Sequence, residues 1–354
     1  MKAAIIGLPQ SGKSTLFTAA TSLVPAPDEI GQAKAAIVRV PDARLAFLAK
    51  LYAPKKITEA TIELVDVPGF APNEAKGRDD FRRHLPGVRQ SDALVAVIRD
   101  FHNPAVPAYR NRVNRDADLN ELWDELKFVD LETVTNRIEK LEKALTKPTK
   151  THDQEKRELT LLSQCREVLE RGAPLSAAVR TAEDAKILGS FALLTEKPLV
   201  VVYNVSEDRV NELPPAAPPH SRAAIQLCAE TESQIAQLDP SDRPAFLADL
   251  GIKLPARDRL IQTIYAALGY ISFLTAGPEE VRAWTIRKGT TAHDAAGEIH
   301  SDIARGFIRA ETVAFDELVA HSDMKGARAA GKVRQEGKTY VVHDGDVILF
   351  KFNV

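Results

Sequence analysis

This sequence of 354 residues lacks a rich cysteine content, an excess of charge of one sign and long apolar runs. Its 2 cysteines, Cys165 and Cys228, are too few for a framework of disulfide bonds. Basic and acidic residues nearly balance, at 47 and 49, so no bulk positive charge points to nucleic acid. No stretch approaches the roughly 18 apolar residues of a membrane-spanning helix, and no small-residue cleavage site follows the short apolar run at the N-terminus. We therefore expect a soluble cytosolic protein.

The first motif with a chemical meaning is KAAIIGLPQSGKSTLFTAAT. It reads as a short apolar strand, a loop over residues 7–14 and a helical stretch from Thr15, which is the order that a phosphate-binding loop requires. Backbone N–H groups would bind the β-phosphate, Lys13 would reach the β- and γ-phosphates, and Ser14 would coordinate Mg²⁺. A glycine-rich turn that matches by accident is the alternative, and the strand–loop–helix context argues against it.

A second strand, TIELVDVPGF at residues 61–70, closes on Asp66 and is followed by Gly69. In nucleotide hydrolases with a phosphate loop, a carboxylate at such a strand end holds Mg²⁺ through water, and the glycine N–H meets the γ-phosphate. The short pattern alone is a common turn. Downstream of a phosphate loop it predicts Asp66 as a metal residue and Gly69 as a phosphate contact.

The segment PLVVVYNVSED, residues 198–208, reads as another buried strand and the loop after it. In nucleotide-binding proteins with a phosphate loop, this loop recognises the base of the nucleotide. GTPases usually carry Asn-Lys-x-Asp here, whereas this chain has Asn204, Val205 and Glu207. Adenine presents N6–H₂ beside N7, a pair that an Asn side chain can match. We predict Asn204 as the main base-reading residue, and guanine read by Glu207 stays the alternative. The end of a later strand is also placed near the base, at Cys228, Ala229 and Glu230.

Three patterns follow one another along the chain. Alternating strands and helices, with functional loops at the carboxyl ends of strands, predict an α/β fold with a mostly parallel sheet. Between residues 117 and 197, Leu, Val and Ile at helical spacing predict an inserted helical hairpin, whose charged faces are either solvated or docking surfaces. From about Phe273, mixed stretches predict a small α+β domain that ends in GKTYVVHDGDVILFKFNV, read as strand, Asp-Gly turn and strand.

A locally basic run lies in that last domain. It comprises Lys325, Arg328, Lys332, Arg334 and Lys338. These residues either contact RNA phosphates or form a solvated surface, and the pattern does not separate the two.

Together these segments resemble the YchF or Obg-like ATPase family, in the Obg branch of phosphate-loop proteins. The resemblance covers nearly the whole chain, through GLPQSGKSTLF, LETVTNRIEKLEK, YNVSED, CAETESQIAQL, FLTAGPEEVRAWTIRKG and GDVILFKFNV. It implies three domains: a nucleotide-binding domain at 1–116 and 198–272, a coiled-coil arm at 117–197 and a TGS domain of β-grasp, ubiquitin-like fold at 273–354. It also implies association with the ribosome or RNA, with no readout of DNA sequence and no membrane.

The resemblance extends to the site. It implies Mg²⁺ and ATP, or GTP, as ligands. Nucleotide contacts are expected along the phosphate loop and helix start, at Gln10, Ser11, Gly12, Lys13, Ser14 and Thr15. Lys13 is expected to take part in catalysis as well.

The chain also departs from the family pattern. Gln10 and Ser11 replace the usual Asn-Val, and the first switch segment, PAPDEIGQAKAAIVRV, lacks the threonine that ligates Mg²⁺. Phe70 stands where Ras-like enzymes place the glutamine that orients water. Ala108 stands where the family has a histidine proposed as a substitute, so His102 becomes the candidate catalytic residue.

Three functions remain open. The favoured one is a slow, Mg²⁺-dependent ATPase whose nucleotide state alters the arm and the TGS domain, and thereby binding to a ribosome or RNA. A nucleotide-binding adaptor that has lost hydrolysis is the second. The third is a GTPase that reads guanine with Asn204 and Glu207.

Overall fold

A computed structural model of the chain describes residues 1–23, 33–69, 71, 75–146, 151–239, 241–249 and 255–353. Phe70 and the first half of the predicted first switch, residues 25–32, lie outside the described residues. The chain divides into two compact units, Met1–Ala36 with Glu63–Arg257 and Ile37–Ile62 with Asp258–Val354. The second unit thus includes a segment from within the predicted nucleotide-binding domain. The predicted domain boundaries stay a prediction.

The secondary structure alternates between strands and helices. The strands are β1 (Lys2–Ile6), β2 (Lys34–Arg39), β3 (Lys56–Thr58), β4 (Thr61–Asp66), β5 (Ala93–Asp100), β6 (Leu199–Val205), β7 (Ala223–Leu227), β8 (Tyr270–Ala276), β9 (Glu280–Arg287), β10 (Phe307–Ala314), β11 (Arg334–Glu336) and β12 (Asp346–Phe352). The α-helices are α1 (Lys13–Thr21), α2 (Ala43–Tyr52), α3 (Ala75–Arg89), α4 (Arg115–Ala144), α5 (His152–Glu170), α6 (Ala182–Gly189), α7 (Ala229–Gln237), α8 (Arg243–Asp249), α9 (Ala256–Ala267), α10 (Ala292–Ile299), α11 (Ser301–Arg305), α12 (Phe315–Ala320) and α13 (Met324–Ala329).

The first sheet has the strand order β2-β4-β1-β5-β6-β7. β1 pairs in parallel with β4 and β5, and β6 pairs in parallel with β5 and β7. Phe81 of α3 and Leu122 of α4 pack against the apolar side chains of β5 and β6, which are buried along almost their whole length. Continuous apolar runs are typical of parallel strands covered on both faces. The expected α/β fold with a mostly parallel sheet is confirmed.

The helices α4 and α5 form the predicted helical hairpin. Asn114 caps α4, because its side chain accepts a hydrogen bond from the N–H three residues further on. Apolar side chains at helical spacing, among them Ile138 and Leu162, bury the seam between the two helices. Arg137 and Glu158 join them by two hydrogen bonds of 2.7 and 2.9 Å. Neither these nor the other helices of the described residues are long and apolar enough to cross a membrane.

The second unit contains a mixed sheet in the order β11-β10-β12-β8-β9-β3. β8 and β9 form an antiparallel hairpin, β12 is parallel to β8, and β10 is antiparallel to β12. The small side chains Ala292, Ala295 and Ala296 let α10 pack closely on this sheet, beside Phe273 and Phe350. A mixed sheet with helices agrees with the predicted C-terminal α+β domain.

The hairpin predicted at the end of the chain is wrong in its first strand. Between β11 and β12, only an isolated bridge from Val341 to Thr291 has strand geometry. The turn is held by side chains instead, because the Asp344 carboxylate accepts hydrogen bonds from the Ser272 N–H at 2.9 Å and from Arg44 at 2.8 Å. These distant partners replace the local strand pairing that the Asp-Gly turn indicated.

The predicted basic run is largely neutralised. Three of its residues form ion pairs, Arg328 with Glu311, Lys332 with Glu317 and Arg334 with Glu336, at 3.0, 2.9 and 2.9 Å. An exposed pair such as Lys332–Glu317 contributes little to stability. The three pairs do cancel positive charge that an RNA phosphate would need. The interpretation of this run as a solvated surface is therefore favoured over RNA contact.

Candidate nucleotide-binding site

The loops at the carboxyl ends of β1, β4, β5, β6 and β7 surround a cavity of about 620 Å³ in the first unit. Predicted nucleotide contacts that line it are Gln10, Gly12, Lys13, Ser14, Thr15, Gly69, Asn204, Val205, Glu207, Cys228 and Glu230. His102, predicted as catalytic, lines it as well. Distant segments meet here because parallel strands end at the same edge of a sheet. The volume suits a ligand of nucleotide size.

Two glycines of the phosphate loop are required by its close packing. Gly12 has a φ of 92° and Gly7 a φ of 154°, and residues other than glycine rarely adopt such backbone angles. A Cβ at Gly12 would collide with the Asn204 side-chain amide, and a Cβ at Gly7 would lie 2.5 Å from the Val97 carbonyl oxygen. Gly12 also caps α1, whose N-terminus therefore begins at the cavity wall.

Lys13 is a buried cation at the centre of the loop. Its Nζ donates a 2.8 Å hydrogen bond to the Leu8 carbonyl oxygen. Burial lowers the pKa of Lys13 to about 8, although the negative charge of Asp66 acts in the opposite direction. Gly69 lies directly against this amine, since a Cβ at Gly69 would come within 2.7 Å of Nζ. A group with negative charge between Lys13 and Gly69 would relieve the cost of burying the lysine.

Ser14 and Asp66 form the candidate magnesium site. The Ser14 hydroxyl lies close enough to the Asp66 carboxylate to lower its pKa. The Oδ1 oxygen of Asp66 is buried and has no hydrogen-bond partner among the described residues. Burial raises the pKa of Asp66, whereas the Ser14 hydroxyl and the charges of Lys13 and Lys34 lower it. A hydrated Mg²⁺ would satisfy the orphaned oxygen, so these residues fit the ion that the motif implies.

The described residues supply few further metal ligands. They contain no cluster of three or more His, Cys, Asp or Glu that could hold a metal ion. Asp66 is buried behind the cavity wall, whereas Ser14 lines the cavity itself. Mg²⁺ would therefore depend on the Ser14 hydroxyl, water held by Asp66 and phosphate oxygens, as is usual for this small cation.

Asn204 braces the site from the end of β6. Its Nδ2 donates to the Ser11 carbonyl oxygen at 3.0 Å, and its Oδ1 accepts from the Ala229 N–H at 2.9 Å. An amide has two N–H groups and two acceptor lone pairs, so one of each is left for a base. Asn204 is also almost fully buried. The structure gives it a bracing position, and its role in reading the base stays a prediction.

The other predicted base-side residues take different positions. Ser11 and Ala229 do not line the cavity, because both lie buried behind Asn204. Their main chains therefore contribute more than their side chains. Glu207 begins a short 3₁₀ helix and has an exposed side chain, and Cys228 precedes the first turn of α7. Both remain candidates for contact with the base.

His102 lies in the loop after β5 and has an exposed side chain on the cavity wall. Ala108 comes immediately before a short 3₁₀ helix, Tyr109–Asn111, and does not line the cavity. The loop thus places His102 on the same cavity as the phosphate loop. Ala108, at the position that carries a histidine in the family, lies outside that cavity. The catalytic assignment of His102 stays a prediction.

Several cavity residues carry no sequence motif. They include Pro9, Phe101, Asn103, Val106, Ser206, Thr231 and Gln234. The signal that could have indicated them is their position in the loops and the helix start that follow β1, β5, β6 and β7, because the carboxyl ends of neighbouring parallel strands share one edge. Arg99, at the end of β5, was also not predicted, although it contacts the phosphate loop.

A strand, phosphate loop and helix, followed by a strand-end carboxylate beside the loop serine, define a phosphate-loop nucleotide-binding protein of the α/β class. Residues 2–149 match the family model described as 50S ribosome-binding GTPase, and residues 270–353 match that of the YchF-GTPase C-terminal family. The chain is 40% identical to the ribosome-binding ATPase YchF of Bacillus subtilis over 100% of both chains. It is 37% identical to Obg-like ATPase 1 of Oryza sativa subsp. japonica, over 100% of this chain and 92% of that protein.

The structural comparison agrees with these relatives. The solved structure of the Schizosaccharomyces pombe YchF GTPase matches with a TM-score of 0.81 and 29% identity, over 99% of this chain and 97% of that chain. The chain therefore belongs to the YchF family of Obg-like ATPases. The resemblance read from the sequence motifs is confirmed.

Proposed function

We propose that this chain is a Mg²⁺-dependent purine-nucleotide-binding protein that hydrolyses ATP slowly and acts together with the ribosome. The observation that carries this proposal is the cavity at the carboxyl edge of the first sheet. It is lined by Lys13, Gly69, Ser14 and the base-side Asn204, and Asp66 lies buried beside Ser14. Relatives in Bacillus subtilis and Escherichia coli O157:H7 are named ribosome-binding ATPases, at 40% and 36% identity.

The phosphates would be bound by the chain's own donors. The buried Lys13 amine would exchange the Leu8 carbonyl for β- and γ-phosphate oxygens, and the N-terminus of α1 would add its N–H groups. Ser14 and water on Asp66 would hold Mg²⁺, which would supply positive charge to neutralise the phosphates. The Gly69 N–H lies close to Lys13 and would donate a hydrogen bond to the γ-phosphate.

Hydrolysis would be slow because the chain lacks the usual group that orients water. Phe70 occupies the position of the glutamine in Ras-like enzymes, and a phenyl ring can neither donate nor accept an ordinary hydrogen bond. His102, on the cavity wall, is the side chain we assign to this task. It would orient the attacking water or accept its proton.

The preference for ATP rests on the loop after β6. Glu207 replaces the Asp that grips guanine, and Val205 replaces the Lys that packs over the base. Asn204 retains one N–H and one acceptor lone pair for the adenine N6–N7 edge. The Schizosaccharomyces pombe relative is titled a GTPase, so GTP is kept as the alternative substrate.

The nucleotide state would be transmitted to the arm through α3. This helix follows the segment of Asp66 and Gly69, and two of its arginines reach α4. Arg82 lies 3.2 Å from both carboxylate oxygens of Glu132, and Arg89 donates a 2.5 Å hydrogen bond to Thr133. A displacement of α3 would therefore alter the arm. Ribosome or RNA binding by the arm would place the protein in the cytoplasm.

A nucleotide-binding adaptor without hydrolysis is the second candidate. It is favoured by Ala108, which lies outside the cavity, and by a first switch segment without Thr or Ser. Calorimetric titration of nucleotide-free protein with ATP and GTP in the presence of Mg²⁺, followed by phosphate release, separates the candidates. Tighter ATP binding with turnover supports the ATPase. Binding without turnover supports the adaptor, and a clear preference for GTP overturns the base assignment.

A further inference from the structure

Arg99 is a buried arginine at the end of β5, with a side chain aimed at main-chain oxygens. Arg99 is only 4% exposed to solvent. The guanidinium donates to three carbonyl oxygens, those of Gln10 at 3.1 Å, Phe101 at 3.2 Å and Val106 at 2.8 Å. It also lies 4.3 Å from the centre of the Phe101 ring. Burial lowers the pKa of Arg99, and the negative charge of Asp118 offsets only part of that effect. Because its hydrogen bonds go to neutral oxygens, this arrangement calls for a reason beyond packing.

The contact with Gln10 fixes a peptide of the phosphate loop. Gln10 has a φ of 57°, a left-handed conformation that is unfavourable for a residue with a side chain. In a trans peptide the C=O and the next N–H point in opposite directions. Because Arg99 holds the Gln10 carbonyl, the Ser11 N–H points away from Arg99. A loop whose N–H groups converge on a phosphate requires this orientation.

The remaining two hydrogen bonds fix the opposite wall of the cavity. The carbonyls of Phe101 and Val106 bound by Arg99 belong to the loop after β5, which carries His102 and Asn103 along the cavity. One planar guanidinium thus joins the phosphate loop to the loop of the candidate catalytic histidine. A lysine, with its donors at a single nitrogen, cannot reach three carbonyls in this geometry.

We propose that Arg99 is a positioning residue for the nucleotide site: it orients the Gln10–Ser11 peptide for phosphate binding and holds the loop of His102 beside it. This inference rests on the proposed nucleotide-binding function and adds to it a residue outside its motifs. Arg99 need not touch the nucleotide. Its effect is to keep the phosphate loop in a left-handed conformation that Gln10 alone would not favour.

The test uses the full chain and the variants Arg99→Met and Arg99→Lys. The matched control is Arg137→Met, which removes an arginine of the same unit that pairs with Glu158 in the arm, away from the cavity. Calorimetry with ATP and Mg²⁺ gives the dissociation constant, and thermal unfolding without nucleotide reports folding. We expect both Arg99 variants to weaken ATP binding by about 10-fold to 100-fold, the range of a hydrogen bond to a charged group, and the control to match wild type.

A rescue separates positioning from general stability. Glycine adopts a positive φ without cost, so adding Gln10→Gly to Arg99→Met should recover much of the lost ATP affinity, measured against the Gln10→Gly single variant. A loss of affinity that tracks only a lower unfolding temperature, with no rescue, would overturn the inference. The inference would also be overturned if wild type binds ATP and both Arg99 variants bind it with the same dissociation constant. If wild type binds no nucleotide, the proposed function fails first and this inference fails with it.

Discussion

Arg99 of β5 and Asn204 of β6 are register partners in the parallel sheet, and their side chains hold successive carbonyls of the phosphate loop. Arg99 binds the Gln10 carbonyl at 3.1 Å, and Asn204 binds the Ser11 carbonyl at 3.0 Å. Paired residues on adjacent strands point to the same side of a sheet, so the strand register itself aligns these two donors. The conformation of the loop is thus set by β5 and β6 as well as by its own glycines.

Nucleotide binding should draw a proton into the site at alkaline pH. Burial lowers the pKa of Lys13 to about 8 in the absence of nucleotide, and bound phosphates would raise that pKa again. Above about pH 8 the free site is therefore partly deprotonated and the bound site protonated, whereas near pH 7 both are protonated. Calorimetry in buffers of different ionisation enthalpy should show uptake of up to about one proton at pH 8.5 and little at pH 7.

The Lys13→Met variant is the control for this proton uptake. It should lose both the uptake and most of the ATP affinity, because its thioether carries no positive charge. Uptake of the same size in this variant would assign the proton to another group. Equal uptake at pH 7 and 8.5 in wild type would contradict the lowered pKa of Lys13.

Replacing Asp66 should weaken the contribution of Mg²⁺ and leave metal-free binding intact. In the Asp66→Asn variant the Ser14 hydroxyl keeps an acceptor, but the carboxylate that would hold the water of the metal is gone. Groups that orient metal ligands are typically worth about 10-fold to 100-fold in metal affinity. ATP titrations with Mg²⁺ and with a chelator measure the difference. Asp116→Asn, a change at an exposed carboxylate outside the cavity, is the control.

One result would contradict the role of Asp66 in binding Mg²⁺. If Asp66→Asn and wild type gain the same affinity from Mg²⁺, the metal is held without this carboxylate. The orphaned Oδ1 oxygen would then need another partner.

The sequence was most informative where a motif carries its own chemistry at a strand end. Lys13, Ser14 and Gly69 lie at the cavity for this reason, and Asp66 lies next to Ser14. The fold class followed from the alternation of strands and helices and from the family resemblance. Local spacing also sufficed for the helical hairpin, because the apolar seam of α4 and α5 repeats at helical intervals.

Features that depend on distant partners could not be predicted. Arg99 meets Gln10 across 89 positions of the sequence, and no local pattern indicates that contact. β3 joins the second sheet through its pairing with β9, in which Lys56 is opposite Glu280, so residues 37–62 belong to the second unit. The mistaken terminal hairpin has the same origin, since Asp344 serves partners far away in the sequence.

Base choice should follow the residues after β6. A double variant, Val205→Lys with Glu207→Asp, restores the side chains that hold guanine in GTPases. An Asp that accepts two hydrogen bonds from guanine discriminates bases by about 10-fold or more, so the ratio of GTP to ATP affinity should rise by that amount. Competition between the two nucleotides measures the ratio directly. A ratio that stays at the wild-type value would show that the base is read elsewhere, with Cys228 and Glu230 the next residues to replace.

His102 should affect hydrolysis without affecting binding. Its side chain is exposed on the cavity wall, and it is the residue to which we assign the orientation of water. The His102→Ala variant should therefore lower kcat by about 100-fold or more, in the range of general acid–base catalysis, with an unchanged dissociation constant for ATP. Single-turnover phosphate release, with the nucleotide bound beforehand, isolates this step from product dissociation.

Asn103→Ala, a change to the next residue of the same loop, controls for disturbance of the loop, since Asn103 also lines the cavity. Equal rates in wild type and His102→Ala would remove His102 from catalysis. Equal losses in His102→Ala and Asn103→Ala would instead show that the conformation of the loop, held by Arg99, matters more than the imidazole. Only a loss confined to His102→Ala supports the assignment, because only then does the rate depend on a group that can exchange a proton with water.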